Sequence, residues 1–333
     1  MHTIRLFIGF SFIVVMLIRC GVSMTQIPTT PITPTQLAVP AGSYSGLAWL
    51  DQGLIVQADT LQPPRLEQFW WIDLASGSMT KLSIPEDPHF QYTNYYMPQR
   101  LPNGLLGFRT KQSNPNLKTG AAASEFGLWQ FDPTTNALTP LLQPAMPQHL
   151  SQHLRFSLAP DLQRAVLSDG GYLQSRLFWW SADTGHEPLD AGVAICQYLA
   201  WSPDGKTIAY AGSPDAASSF GALWSVRSNL YLMDSDGSNR REIGTKLRGI
   251  AGLQWSPDGQ WLAVIGYFDG FDNQIWLVNP TTAEWRQLTN TVGDYQWPAW
   301  SPDGKHIAVV WRKPADLPPN DYVVTIDVSA FVQ

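Results

Sequence analysis

The stretch WSPDG at 201–205 decides the fold, because it returns at 255–259 and again at 300–304. Each copy runs into an alternating segment: KTIAY, QWLAV and KHIAV. Copies about 50 residues apart mean that one supersecondary unit repeats, and a period of that size belongs to propellers or solenoids. Within a copy the Trp sits on a buried strand, Ser-Pro-Asp-Gly makes a tight turn, and a second strand follows. Pro suits the second position of a reverse turn, and Asp and Gly suit the next two. The turn order alone accounts for these aspartates, so they are read as punctuation rather than as catalytic groups.

A second unit alternates with the first. It appears as FWWIDLASGSMTKL (69–82), GLWQFDPTTNALTPLL (127–142), RLFWWSADTGHEPL (176–189), NLYLMDSDGSNRREI (229–243) and QIWLVNPTTAEWRQL (274–288). A shortened copy, YVVTIDV, stands at 322–328. Aromatic and β-branched residues, a polar turn and a short strand make each a hairpin. Degenerate relatives of WSPDG fill the remaining gaps, at Trp49 to Gly53, Arg100 to Gly104 and Leu158 to Leu162. The result is six repeats of four strands, A and B around the first turn, C and D around the second.

Spacing closes the ring. Twelve residues separate Leu189 from Trp201, Ile243 from Trp255, Leu288 from Trp300, and also Leu37 from Trp49. QLAVPAGSYSGLAW (36–49) aligns without gaps on QLTNTVGDYQWPAW (287–300). Residues 36–39 therefore read as a D strand that lacks its own A–C strands, while the last repeat has A, B and C but little room for D. An amino-terminal strand that completes the last blade resolves both facts and removes the exposed sheet edges. The expected fold is an all-β, six-bladed propeller of four-stranded antiparallel blades.

Composition agrees. Hydrophobic residues make up 44% of 333, fifteen are Trp, and Gly and Pro number 26 each. A buried Trp removes ~150–250 Å² from water, worth about 4–6 kcal/mol before entropy. A net charge of −6 argues against nucleic acid as a partner, since phosphate binding needs a basic surface. Arg240, Arg241, Lys246 and Arg248 read as a solvated hairpin face.

Three segments precede or make up the body. Residues 1–23 read as an export signal: His2 and Arg5 start it, and 6–18 is a mostly apolar run too short for an ordinary membrane span. Leu17-Ile18-Arg19-Cys20 resembles a lipobox, which makes Cys20 a candidate for lipidation, although Arg19 stands where a small residue belongs. Gly21-Val22-Ser23 offers ordinary cleavage, and an uncleaved anchor is the third route. Residues 24–35, rich in Pro and Thr, form an extended spacer, and 36–333 is the propeller. Cys196 is a small buried hydrophobe, so no disulfide framework exists.

The repeat WSPDG-K-x-IA-[YV], with NLYLMDSDGSNRREI behind it, resembles the TolB-type propeller repeat, also seen in dipeptidyl-peptidase-like propeller domains. The resemblance is carried by motif over about 190–328 and by spacing over about 36–190. It implies an exported bacterial protein of the cell envelope, periplasmic or on the outer surface, that works through protein contacts.

Catalytic fingerprints are missing from the sequence. Gly42 to Gly46 has Tyr where a nucleophile elbow would hold Ser, and neither a Walker loop nor a dinucleotide glycine motif occurs. His149 and His153 lack the Glu of a zinc motif, and the loop at Asp234 fails the calcium pattern at Asn239 and Thr245. No cofactor and no metal are expected.

Topology instead nominates a face. The A–B and C–D turns fall at one end of the blades, and the longer B–C and D–A connections at the other, including 83–98, 110–125, 143–155, 211–227 and 312–320. Tyr92, Tyr95, Tyr96, Phe220, Trp224, Tyr267, Phe268, Phe271, Tyr295 and Trp297 gather there, with Arg109 and Arg312 as polar partners. Rings give contact area at low entropy cost, which points to a protein or peptide partner, with a glycan as a further candidate. The chain is expected to be a monomer. The leading expectation is a noncatalytic binding module; the alternative is a hydrolase or lyase acting on glycans in the central funnel.

Overall fold

The computed structural model describes residues 32–59, 67–85, 93–112, 126–141, 155–170, 175–181, 183–214, 227–244, 249–267, 272–313 and 321–332. Six four-stranded antiparallel sheets form the blades of a ring. The chain opens with a two-residue strand, β1 (Thr35–Gln36). Blade 1 follows as β2 (Tyr44–Leu50), β3 (Gly53–Asp59), β4 (Glu67–Ile72) and β5 (Met79–Lys81). Blade 2 is β6 (Thr93–Arg100), β7 (Leu106–Gln112), β8 (Phe126–Asp132) and β9 (Ala137–Leu141). Blade 3 is β10 (Arg155–Leu158), β11 (Arg164–Gly170), β12 (Ser175–Ser181) and β13 (Gly185–Leu189). Blade 4 is β14 (Ile195–Trp201), β15 (Thr207–Ser213), β16 (Asn229–Asp234) and β17 (Arg241–Glu242). Blade 5 is β18 (Gly249–Trp255), β19 (Leu262–Tyr267), β20 (Gln274–Val278) and β21 (Trp285–Gln287). Blade 6 is β22 (Asp294–Trp300), β23 (His306–Arg312) and β24 (Asp321–Asp327), completed by β1.

The closure expected from the alignment is present, with a shifted boundary. Thr35 pairs with Thr325 and Gln36 with Val324, and Leu37 donates its N–H to Val323 O at 2.9 Å. Leu288, the residue aligned with Leu37, makes the same bond to Ile275 O at 2.8 Å. Pairing stops there rather than at Val39, because the chain bends at Ala38 and runs on to Pro40, which has no N–H to give. A second clasp holds the join. The buried Asp321 accepts Arg312 Nε at 2.8 Å and Nη2 at 3.1 Å. It also accepts the Tyr44 N–H at 3.1 Å.

Core packing counts the interfaces of the ring. Separate apolar clusters lie between blades 1 and 2, 2 and 3, 3 and 4, 4 and 5, 5 and 6, and 6 and 1. An open stack of six blades would bury one interface fewer. The cluster between blades 6 and 1 joins Val39, Tyr44, Leu54 and Ile72 to Ala308, Val310 and Val323.

The WSPDG turns are self-contained. Ser202 Oγ bonds Asp204 Oδ1 at 2.6 Å and accepts the Thr207 N–H at 2.9 Å. Gly205 closes the turn on Ser202 O at 3.0 Å with φ 74. A Cβ on Gly205 would lie 3.6 Å from Pro160, one on Gly259 3.6 Å from Pro203, and one on Gly304 3.7 Å from Pro257. Each of these glycines thus sits against the proline of the blade before at a distance a Cβ would tolerate, so it is the positive φ that calls for glycine. Cys196 is fully buried between Ser168 and Ser175, and burial pushes its thiol up.

Candidate functional site

The innermost strands of all six blades line a central cavity of about 380 Å³. Three residues before the Trp position, the lining column reads Gly46, Met97, Arg155, Tyr198, Gly252 and Trp297. At or beside this column the inner strand breaks register in five of the six blades, while in blade 3 Arg155 pairs regularly with Ser168. Bulges separate Tyr44 from Gly46, Tyr96 from Gln99, Gln197 from Leu199, Ile250 from Gly252, and Gln296 from Ala299. A bulge inserts an unpaired residue and re-aims a side chain.

The bulges differ in a regular way. Met97, Tyr198 and Trp297, in blades 2, 4 and 6, have φ of 57, 50 and 55. A left-handed conformation costs a non-glycine residue about 1–2 kcal/mol, and such strain collects at functional sites. Glycines at the equivalent places in blades 1 and 5 make room for a neighbour. A Cβ on Gly46 would meet Pro98 Cδ at 2.7 Å, and one on Gly252 would meet Pro298 Cδ at 2.9 Å. Side-chain amides tie neighbouring inner strands together: Gln57 Oε1 accepts Met97 N–H at 3.0 Å, and Gln254 Oε1 accepts Trp300 N–H at 2.8 Å.

The chemistry of the lining is one-sided. Its charged residues are Arg100 and Arg155, beside Gln99, Gln254, Tyr198, Trp297 and Met97. Arg155 lies with Cζ 4.0 Å from the centroid of the Tyr198 ring, a cation–π distance. Arg100 reaches across a blade boundary to Asp51 at 2.9 Å. Behind them Arg109, 5% exposed, stacks on Tyr96 at 5.3 Å. Burial pulls the Arg109 guanidinium down to about 10; Tyr96 opposes that shift and the charge of Arg155 adds to it. It stays protonated at neutral pH, and it lies outside the described cavity lining. Among the described residues no cluster of three or more His, Cys, Asp or Glu is placed to hold a metal.

The expected loop-face residues scatter. Tyr92, Phe220, Trp224, Phe268 and Phe271 lie outside the described residues, as do Cys20 and the rest of 1–31. Tyr95 and Tyr96 fall at consecutive positions in β6, with Tyr96 half-buried, and Tyr267 is half-buried at the end of β19. Trp297 faces the cavity rather than the rim. Tyr295 is fully buried, stacked on Trp311 and bonded to Thr291 Oγ1 at 2.5 Å, and burial raises its phenol. Arg312 serves the ring closure through Asp321. The sequence reading missed Met97, Arg155 and Tyr198. Counting back three residues from the Trp position in every repeat finds them, since that column departs from the apolar pattern of its neighbours.

No family model matches the chain. Uncharacterized peptidase YuxL of Bacillus subtilis is 25% identical over 140 residues, which are 32% of this chain and 20% of that protein. Tol-Pal system protein TolB of Alcanivorax borkumensis is 35% identical over 80 residues, 24% of this chain and 18% of that protein. The chain thus spans about a fifth of the length of these relatives. Among solved structures, TolB from Acinetobacter baumannii superposes with a TM-score of 0.51 at 13% identity, covering 78% of this chain and 59% of its own. A luciferin-regenerating enzyme superposes at 0.55 with 16% identity, covering 89% and 95%. At such identities the likeness is one of architecture, and the architecture is that of the TolB-type six-bladed propeller.

Proposed function

We propose that the chain is an exported or membrane-tethered, noncatalytic propeller of the bacterial cell envelope that binds a protein or peptide through its loop face. The observation that carries this reading is the asymmetry of the ring's two ends. At one end the turns are short and bonded within themselves, as at Ser202, Ser256 and Ser301. At the other end β6 and β19 bring Tyr96 and Tyr267, half-buried, next to the longer connections. Similarity to a Tol-Pal system protein supports a protein partner and an exported location. A rigid ring with aromatic side chains at a loop face loses little entropy on docking.

The test is capture by the exported protein. Cross-links formed in intact cell envelopes are expected to map to the connections 83–98 and 211–227. Replacing Tyr95 and Trp224 together with Ala is expected to abolish capture and leave thermal unfolding within about 2 °C, while Tyr96 stays in place because it stacks on the buried Arg109. Undiminished capture by that double variant, or cross-links confined to the Pro-Asp-Gly face, would overturn the reading. A glycan-cleaving enzyme working in the funnel would need carboxylates or imidazoles there, and the charged groups of the described lining are arginines.

A further inference from the structure

We infer that the central cavity is a binding site for a small monocarboxylate with an apolar or aromatic body, separate from the loop face. Two observations point to an anion, and a third to the rest of the ligand. Both charged residues of the lining are arginines, and Arg155 has no ion-pair partner among the described residues.

The second observation concerns hydrogen bonds. Three buried polar atoms of the lining have no partner among the described residues: Gln99 Nε2, Arg100 Nε and Trp201 Nε1. All three are donors. The contrast with the neighbouring repeats is direct, since Trp255 Nε1 bonds Ala200 O at 2.9 Å and Trp300 Nε1 bonds Gln254 O at 3.2 Å. A described layer with surplus donors and no surplus side-chain acceptor fits a ligand that supplies acceptors. A carboxylate supplies two oxygens and suits the fork of a guanidinium.

The third observation sets the rest of the ligand. Met97, Tyr198 and Trp297 are held in left-handed backbone by three bulges, and they line the cavity with Leu47 and Leu253. A volume of about 380 Å³ sits at the lower end of the roughly 300–1,000 Å³ typical of small-molecule sites. A flat, apolar body against Tyr198 and Trp297, with its carboxylate toward Arg155, fits the level of the cavity three residues before the Trp position.

Calorimetric titration of the full exported chain with 3-phenylpropionate and indole-3-acetate tests this, with the corresponding neutral amides as controls. The acids are expected to bind and the amides to bind at least tenfold more weakly. Arg155→Gln should weaken the acids about 10- to 100-fold and lower the stability of the free protein by no more than the loss of its cation–π contact with Tyr198. Gln99→Glu places a carboxylate among the surplus donors, so it should abolish acid binding and raise the melting temperature. Equal binding of acid and amide, unchanged affinity in the Arg155 variant, or no binding of either acid overturns the inference. Tighter binding of an acetylated tripeptide ending in free phenylalanine than of 3-phenylpropionate overturns the assignment to a small molecule.

Discussion

Blades 4–6 and blades 1–3 solve the same structural problem by different means. In blades 4–6 each A–B turn is held by its own Ser and Asp, at 2.6, 2.5 and 2.6 Å. Blade 3 has Ala159 where those blades have Ser, and Leu162, with φ 58, where they have Gly. Blade 2 keeps only the Asn103 Oδ1 bond to the Leu105 N–H, and blades 1 and 2 add an ion pair across their boundary, Asp51 to Arg100. The repetitive half is satisfied within each turn. The degenerate half has given up that economy, and it supplies both arginines of the cavity, Arg100 and Arg155. Repetition marks where the ring is built, and departure from it marks where chemistry collects.

The sharpest way to break this contrast is to remove a Trp from the repetitive half. Trp255 is 7% exposed and donates to Ala200 O at 2.9 Å. Trp255→Ala should cost about 3–5 kcal/mol in denaturant unfolding. Arg100, at the same position in blade 2, is half-buried and paired with the exposed Asp51, and Arg100→Ala should cost about 1 kcal/mol. Similar losses from the two variants would mean that the position has one role in all blades.

The join between the halves comes next. Asp321 is 1% exposed and accepts from Arg312 and from the Tyr44 N–H. Asp321→Ala leaves both donors without their acceptor and should cost about 2–4 kcal/mol. Arg312→Ala removes the partner and leaves a buried carboxylate, so it should cost a similar amount. A loss under about 1 kcal/mol in both, measured by urea midpoint at constant m, would show that closure rests on the backbone pairing of β1 and the apolar packing around Val39 and Val323.

How far the sequence reveals this molecule follows the same division. The Pro-Asp-Gly turns and the twelve-residue spacing made the blade count and the closure readable, because both depend on local turn chemistry and chain length. Leu37 and Leu288 make equivalent bonds to Val323 O and Ile275 O, as their alignment requires. Site residues were less readable, because a side chain's direction depends on a bulge. Tyr295 and Trp297 stand two apart in β22, yet one is fully buried and the other lines the cavity. Residue type misled at Arg312, a charge spent on Asp321. Arg155 went unread because the repeat's own signal at that column is weak.

A transplant sharpens the contrast at smaller scale. Ser256 Oγ accepts the Trp261 N–H at 3.0 Å, and Ser256→Ala should cost about 1–2 kcal/mol. The reverse change, Ala159→Ser, puts the missing hydroxyl two residues from Asp161. It should gain up to about 1 kcal/mol, since the Asp161 Oδ1 already accepts the Gln163 N–H at 2.9 Å as its counterparts do in blades 4–6. Thermal unfolding of the single variants reads both. A loss on Ala159→Ser would show that the 1%-exposed site lacks room for an oxygen, and that blade 3 abandoned the network for packing.

The smallest effect expected is one of pH. Hydrogen bonds from Ser202 and from Ser301 are the largest causes holding the Asp204 and Asp303 carboxyls below their ordinary range. A carboxyl with a depressed folded pKa contributes stability above its unfolded pKa, and that contribution disappears as pH falls through the folded value. Melting temperature should therefore fall as pH drops below about 4. In the double variant Ser202→Ala and Ser301→Ala, the two carboxyls lose their leading stabiliser and return toward the unfolded range. The variant should melt lower at pH 7 but lose less on acidification, so the two curves converge at low pH. Both aspartates are mostly exposed, with side chains that water screens, and the convergence should amount to a few degrees at most. Parallel curves would mean that the serines act on the turn through geometry, with the aspartate charge uninvolved.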